Sequence, residues 1–543
     1  MTGRRPGRAI GAAGFRPPCA VAALFGCGLA LFAAACEDHL PGRKIAPGLG
    51  RNLAIAPGGN AAAFLTGAAH PDDRTVPEDL VAGDLWLADT RAGAASAAKV
   101  GVGVPSAAGA FAFRPDGGAL AFLASWRFRA GEGELWVAAP GGAPRKLADG
   151  VKGFAWAPRG EAIAFIAHER LQVALRPLAA AADADGPRAA GFTALPPVHS
   201  FSWSPGAEQL AARAPASKGG GLLLLDAKDG TSRELAPSSD FLFAPDGALG
   251  FLGPAGPKGG DRDLSIVEGA AAPRPLGRAT TFGFSPDGRF ALLLSTEGSL
   301  GDAYGSLSRL PRAGGTPSAL GDRVSEWRFT PGGDLLLLAG YDVRSRSGTL
   351  MLAPASGAAP REFAQRVQTF QLSPRGDRVI YVVQANQKGD FKVELWTGLL
   401  AEGPQGFAQA PRKLDEGVYG FQLSADGEHL FWKSRCGAGT RNCTLFRTRL
   451  SVTEDPVRLS PAVAGFDLAP EGRRLLVAHP HKGAPKAVDL ALLDALGPAP
   501  VDQPAPFALE VDPGSRFLDP QGTRVIAPRL TGRSPSVLVI DLP

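Results

Sequence analysis

The sequence predicts an all-β chain, a β-propeller of about eleven four-stranded units, and three observations predict it. A hairpin of the form aromatic-x-aromatic-Ser-Pro-Asp-Gly followed by an apolar strand recurs eleven times. A third strand and a shorter fourth strand follow most copies, and the copies are spaced by 40 to 58 residues. That period is the length of one four-stranded propeller blade.

Each part of the unit has a local cause. In GFSPDGRFALLLS, Gly283 to Ser295, proline presets φ, Asp hydrogen-bonds forward, and Gly takes the left-handed position. Asp116, Asp246, Asp287 and Asp426 are therefore turn residues and not catalytic carboxylates. Copies centre on Pro57, Pro115, Pro158, Pro205, Pro245, Pro286, Pro331, Pro374, Ala425, Pro470 and Pro520. Third strands read DLWLADT from Asp84, ELWVAAP from Glu134 and ELWTGLL from Glu394, and fourth strands read PRKLADG from Pro144 and PRKLDEG from Pro411. The last unit runs out before its fourth strand, whereas a spare one, GRKIAPG from Gly42, precedes the first hairpin. Pairing Lys44 to Ala46 into the blade that contains Phe517 to Leu542 would remove the exposed sheet edges.

Composition agrees with a turn-rich globular chain. Its 543 residues include 71 glycines and 48 prolines, yet 45% are hydrophobic, enough to bury a core. The formal charge of +5 is concentrated at Arg4, Arg5, Arg8 and Arg16. Without that segment the chain is near neutral, which argues against a nucleic-acid partner. The same basic stretch precedes an apolar run, AVAALFGCGLALFAAA, which ends at Cys36. The run is shorter than the roughly 20 residues a spanning helix needs, so residues 1–35 read as a signal peptide.

Ala33-Ala34-Ala35-Cys36 resembles the bacterial lipobox, with Ala33 where that family prefers Leu. The resemblance implies cleavage before Cys36, lipid on that cysteine, a linker over 36–41, and an exported, membrane-anchored protein of the outer membrane or periplasm. Cys436 and Cys443 are separated by a Gly-rich turn, and in an exported chain they read as a disulfide across a hairpin.

The repeat, aromatic-x-aromatic-SPDG, then LW-x-x-D, then R-x-L, resembles the PD40 repeat of TolB-like β-propellers, which also occurs in propeller domains of prolyl oligopeptidase-type peptidases. The resemblance covers about Gly42 to Pro543 and speaks for fold. No α/β domain precedes the repeats, and no G-x-S-x-G elbow is present. Eleven units exceed the usual four to eight per ring, so two tandem propellers are expected, over 42–300 and 301–543, with one large ring as the alternative.

Long loops joining second to third strands mark the expected binding face. They carry Asp72, Asp73, Glu78 and Asp79; Trp126, Arg127 and Arg129; Tyr304; and Tyr341, Asp342 and Arg344. Mixed charge with aromatic residues suits a protein or peptide contact. The acidic group lacks ordered calcium-ligand spacing, DADG at Asp183 lacks the rest of a calcium loop, and no metal or cofactor is expected. The expected function is a non-enzymatic envelope scaffold that binds a protein or peptide partner. A propeller-based polysaccharide lyase or glycosidase and a small-molecule sensor or carrier are the alternatives.

Overall fold

A computed structural model describes residues 42–542, except 49, 70–80, 92–95, 176, 178–188, 192–196, 216–219, 239, 255–259, 297–303, 388–389, 401–409, 438–439, 501–503 and 531–534. The signal segment, Cys36, the acidic loop residues Asp72, Asp73, Glu78 and Asp79, and Asp183 lie outside the described residues. Residues from Gly42 onward form one compact unit.

Every described element is a β-strand, and the strands assemble in antiparallel groups of four. In the first blade Arg51–Ile55, Ala61–Ala69, Ala82–Asp89 and Ser96–Pro105 pair in chain order. The same order repeats through eleven blades. Two long strands, Arg145–Trp156 and Arg361–Leu372, each serve as the outer strand of one blade and the inner strand of the next. Side chains alternate toward the two faces of a blade, so each blade offers an apolar surface to both neighbours.

The Ser-Pro-Asp-Gly turns are built from within the motif. Around Asp287, the Ser285 hydroxyl donates to Oδ1 at 2.6 Å, the Arg289 N–H donates to the same oxygen at 3.0 Å, and Gly288 sits at φ 69°. Asp116, Asp246 and Asp426 likewise accept the N–H two residues on, at 2.9, 3.2 and 2.9 Å. These carboxylates hold turns.

The third and fourth strands carry a further regularity. Their register slips in every blade except the third, usually beside a leucine of the third strand, as at Leu85, Leu264, Leu350 and Leu395. A β-bulge of this kind twists the outer strand and lets neighbouring residues face the same side. In the second and eighth blades Glu134 and Glu394 then accept from Trp136 and Trp396 at 3.0 Å and pair with Lys146 and Lys413.

The N-terminal strand closes the structure. Arg43–Pro47 pairs antiparallel with the third strand of the last blade, matching Lys44 to Leu538 and Ala46 to Val537. It carries the bulge of an ordinary fourth strand, at Ile45. Ile45 and Ala46 are buried in a cluster with Ala62 and Phe64 of the first blade and Ile526 and Val539 of the last.

Near residue 300, where a division into two propellers is expected, the packing of the described residues is continuous. Leu292, Leu294 and Leu307 of the sixth blade share a core with Leu335, Leu337 and Ala339 of the seventh. Apolar clusters join successive blades from the first to the tenth. The tenth and eleventh meet where Asp467 accepts from the Phe517 N–H and Gly522 lies against Ala469, and the eleventh packs on the first. A blade has two faces, and both are taken by its neighbours in sequence. The order is that of one ring.

Candidate functional site

Antiparallel blades give the ring two unlike faces. The Ser-Pro-Asp-Gly turns and the connections from third to fourth strands lie on one, here called the turn face. Loops from second to third strands and the passages between blades lie on the other, the loop face. Every predicted binding residue that is described falls on the loop face.

The sixth and seventh blades bring the predicted aromatic residues together. Tyr304 stands at the start of the third strand Gly305–Pro311, and Tyr341 near the end of the second strand Leu335–Asp342. Their ring centroids are 6.1 Å apart in a tilted arrangement, and the Arg323 guanidinium lies 5.2 Å from the Tyr304 centroid. Both tyrosines are half-buried while Arg323 is exposed. Neighbouring tilted rings beside a cation suit aromatic, proline or carboxylate groups on a partner.

Asp342 has a local task. It accepts N–H bonds from Arg344 at 3.3 Å and Ser345 at 3.0 Å, and the Ser345 hydroxyl first, then these N–H groups, lower its pKa, with Arg323 helping. Arg344 is exposed at the tip of this turn. Trp126 packs against the core shared by the second and third blades, so most of its ring is committed to the fold. Arg127 is paired with Glu132, and Arg129 lies in the turn that follows, where the N–H of Gly131 bonds Arg127 O at 2.9 Å. The structure thus groups Tyr304 with Tyr341 and Asp342, and keeps Trp126, Arg127 and Arg129 apart on the second blade.

Three features escaped the sequence reading. Arg323 lies at the end of a fourth strand, away from the long loops. A concavity of about 730 Å³ between the eighth and ninth blades is lined by Asp415, Tyr419, Arg435 and Cys436. Asp415 accepts from Trp432 Nε1 at 2.9 Å and Ser434 Oγ at 2.6 Å, which leaves it bound in place. A larger cavity, about 900 Å³, lies where the ninth, tenth, eleventh and first blades meet. These residues sit in fourth strands, an inner strand, short loops and passages between blades, so loop length gave no signal for them.

Cys436 and Cys443 are joined in a disulfide that closes the loop after the strand His429–Ser434. His479 is buried with Nδ1 3.2 Å from Ala462 O, and burial pushes its pKa down. His481 is held between Asp489, 2.8 Å from Nδ1, and Glu510, 3.3 Å from Nε2. Its two nitrogens face different carboxylates, an arrangement that positions a loop and does not chelate. The loop face therefore offers stacking, cation and apolar contacts, with its described carboxylates at these places already bonded.

No family model matches the chain, and no curated protein matches it. Solved structures similar to it include a eukaryotic initiation factor, with a TM-score of 0.39, 10% identity, and coverage of 64% of this chain and 87% of that one. The tricorn protease gives 0.26 and 10%, covering 82% of this chain and 57% of its own. Dipeptidyl peptidase 4 of Porphyromonas gingivalis gives 0.34 and 13%, covering 64% and 59%.

Proposed function

We propose that the chain is a TolB-like envelope lipoprotein, anchored through Cys36, whose propeller is a non-enzymatic scaffold that binds a protein or peptide partner through the loop face. The observation that carries this reading is the Tyr304, Tyr341 and Arg323 cluster. Two half-buried rings and an exposed cation present rigid, amphipathic contact area, the kind that dominates protein recognition. The path of the chain supports it as well. Arg43 enters the ring on the turn face, beside Asp541 at the other end, 3.4 Å away. The described chain therefore begins on the face opposite the Tyr304 and Tyr341 cluster.

The test is site-specific photo-crosslinking in intact cells. A crosslinking residue in place of Tyr341 should yield a discrete protein adduct that the same residue at Glu471, on the turn face, does not. Equal labelling at both positions, or no protein adduct at Tyr341 in the exported and folded chain, overturns the reading. Labelling with a fatty-acid analogue, lost in Cys36→Ser, tests the anchor.

A further inference from the structure

The cavity of about 900 Å³ at the closing seam is lined by Arg51, Arg441 and Lys486, with Asp512 as the one acidic wall residue among those described and with Pro513 and Leu530 among its apolar walls. The three cations come from three blades: Arg51 from the inner strand of the first, Arg441 from a loop of the ninth, and Lys486 from a loop of the tenth. Arg441 donates to Ala487 O at 3.3 Å, which fixes its guanidinium to the tenth blade. Among the described residues none of the three is in a salt bridge. Asp512 is partly occupied, since its Oδ1 accepts the Gly514 N–H at 2.7 Å. A concave wall with three cations and one half-engaged carboxylate focuses a positive potential inward, and the prolines and Leu530 add rigid apolar surface.

We infer that this cavity is a peptide-binding site that takes an acidic segment carrying an apolar side chain, the carboxylates meeting Arg51, Arg441 and Lys486 and the apolar group resting on Pro513 and Leu530. Charge selects the acid, and the apolar walls select against a bare inorganic anion. This deepens the scaffold reading and rests on it, while using blades remote in sequence from Tyr304 and Tyr341. An occupied cavity would tie the first blade to the ninth and tenth, so the ligand should also tighten the ring seam.

The mature chain, titrated calorimetrically with a capped Leu-Glu-Pro-Glu-Leu peptide, tests the inference. Binding should be at least about tenfold weaker for the Leu-Gln-Pro-Gln-Leu counterpart and for the Arg51→Ala, Lys486→Ala double variant, as expected when close charge pairs are removed. Asp512→Asn should change affinity in the opposite direction and tighten binding. Melting curves check that the variants fold, since Arg51 and Lys486 are exposed. The inference is overturned if the acidic peptide does not bind, if it binds no better than its amide counterpart, or if the double variant binds it equally. Saturation by phosphate or decanoate in place of the peptide would equally reject it, in favour of a small-anion or a fatty-acid site respectively. A Tyr341 adduct that persists without peptide binding defeats this inference alone, whereas loss of the adduct with peptide binding intact defeats the proposed loop-face contact.

Discussion

Ile45 is the residue through which ring closure can be measured. Its side chain is 8% exposed and lies in the cluster that joins the last blade to the first. Ile45→Ala should cost about 3 kcal/mol, the middle of the range for truncating a buried aliphatic side chain. The unfolding entropy of about 500 ordered residues, at roughly 2.1 cal/mol/K each, is about 1 kcal/mol/K, so the midpoint should fall by about 3 °C. Lys44→Ala is the control, because Lys44 shares the strand and is exposed. Deleting Gly42 to Pro47 probes the same seam differently. Four paired positions at about 1 kcal/mol and the Ile45 side chain at about 3 kcal/mol are lost, whereas about 6 kcal/mol of ordering entropy is returned. The net loss is about 1 kcal/mol, but Ser536–Asp541 becomes an open edge. That variant should self-associate in sedimentation velocity, as unprotected edges do. If Ile45→Ala melts like the wild type and the deletion stays monomeric, the closure described here does not hold the ring.

Gly59 and Gly288 occupy equivalent turns, both at positive φ, but a Cβ at Gly59 would run into the backbone carbonyl of Leu518 whereas one at Gly288 meets the flexible end of Arg312 at 3.0 Å. Gly288→Ala should therefore cost about 1 kcal/mol of left-handed strain, and Gly59→Ala distinctly more by chemical denaturation. Asp287 is held down to about 2, first by the Ser285 hydroxyl and then by the Arg289 N–H. A folded pKa below the unfolded one stabilises above about pH 4 and is lost as pH falls toward 2. With the side chain 37% exposed, solvent screening limits the effect to about 1 kcal/mol, and Asp287→Asn should flatten the acid limb of the stability curve by that amount. Cys436→Ser should lower stability by about 2 kcal/mol, and a reductant should then leave that variant's melting unchanged.

The fold was legible because the repeat carries its own turn chemistry. Pro286, Asp287 and Gly288 specify their hairpin from within five residues, and the spare strand at Lys44 to Ala46 follows from counting strands. The number of rings was not legible. It depends on the angle between blades, which is set by side-chain volume summed across each interface. The inner-strand aromatics Phe111 and Phe113, and Phe282 and Phe284, pack into cores shared by neighbouring blades, but no sequence pattern gives the resulting angle. At the site, loop length located Tyr304 and Tyr341, but their contact required knowing that the sixth blade abuts the seventh. Arg323 and Asp415 lie in fourth strands and Arg51 in an inner strand, where a pattern reading sees only another repeat.

The two faces differ in how far their polar groups are already used, and this favours the loop face for recognition. On the turn face the carboxylates belong to the motif. Asp116, Asp287 and Asp426 are bonded within their own turns, and Arg312 clamps Asp246 at 2.8 Å and Glu268 at 3.0 Å across two blades. Altering any of these residues disturbs a turn or an interface between blades. The loop face obeys no such repeat, since its segments vary in length from the tight turn at His168 and Glu169 to the long connection after Ala69. Arg51, Arg323 and Lys486 can change there without breaking a hairpin. Residues exempt from building the ring are gathered on the side opposite the point where Arg43 enters, which is where the proposed contact is placed.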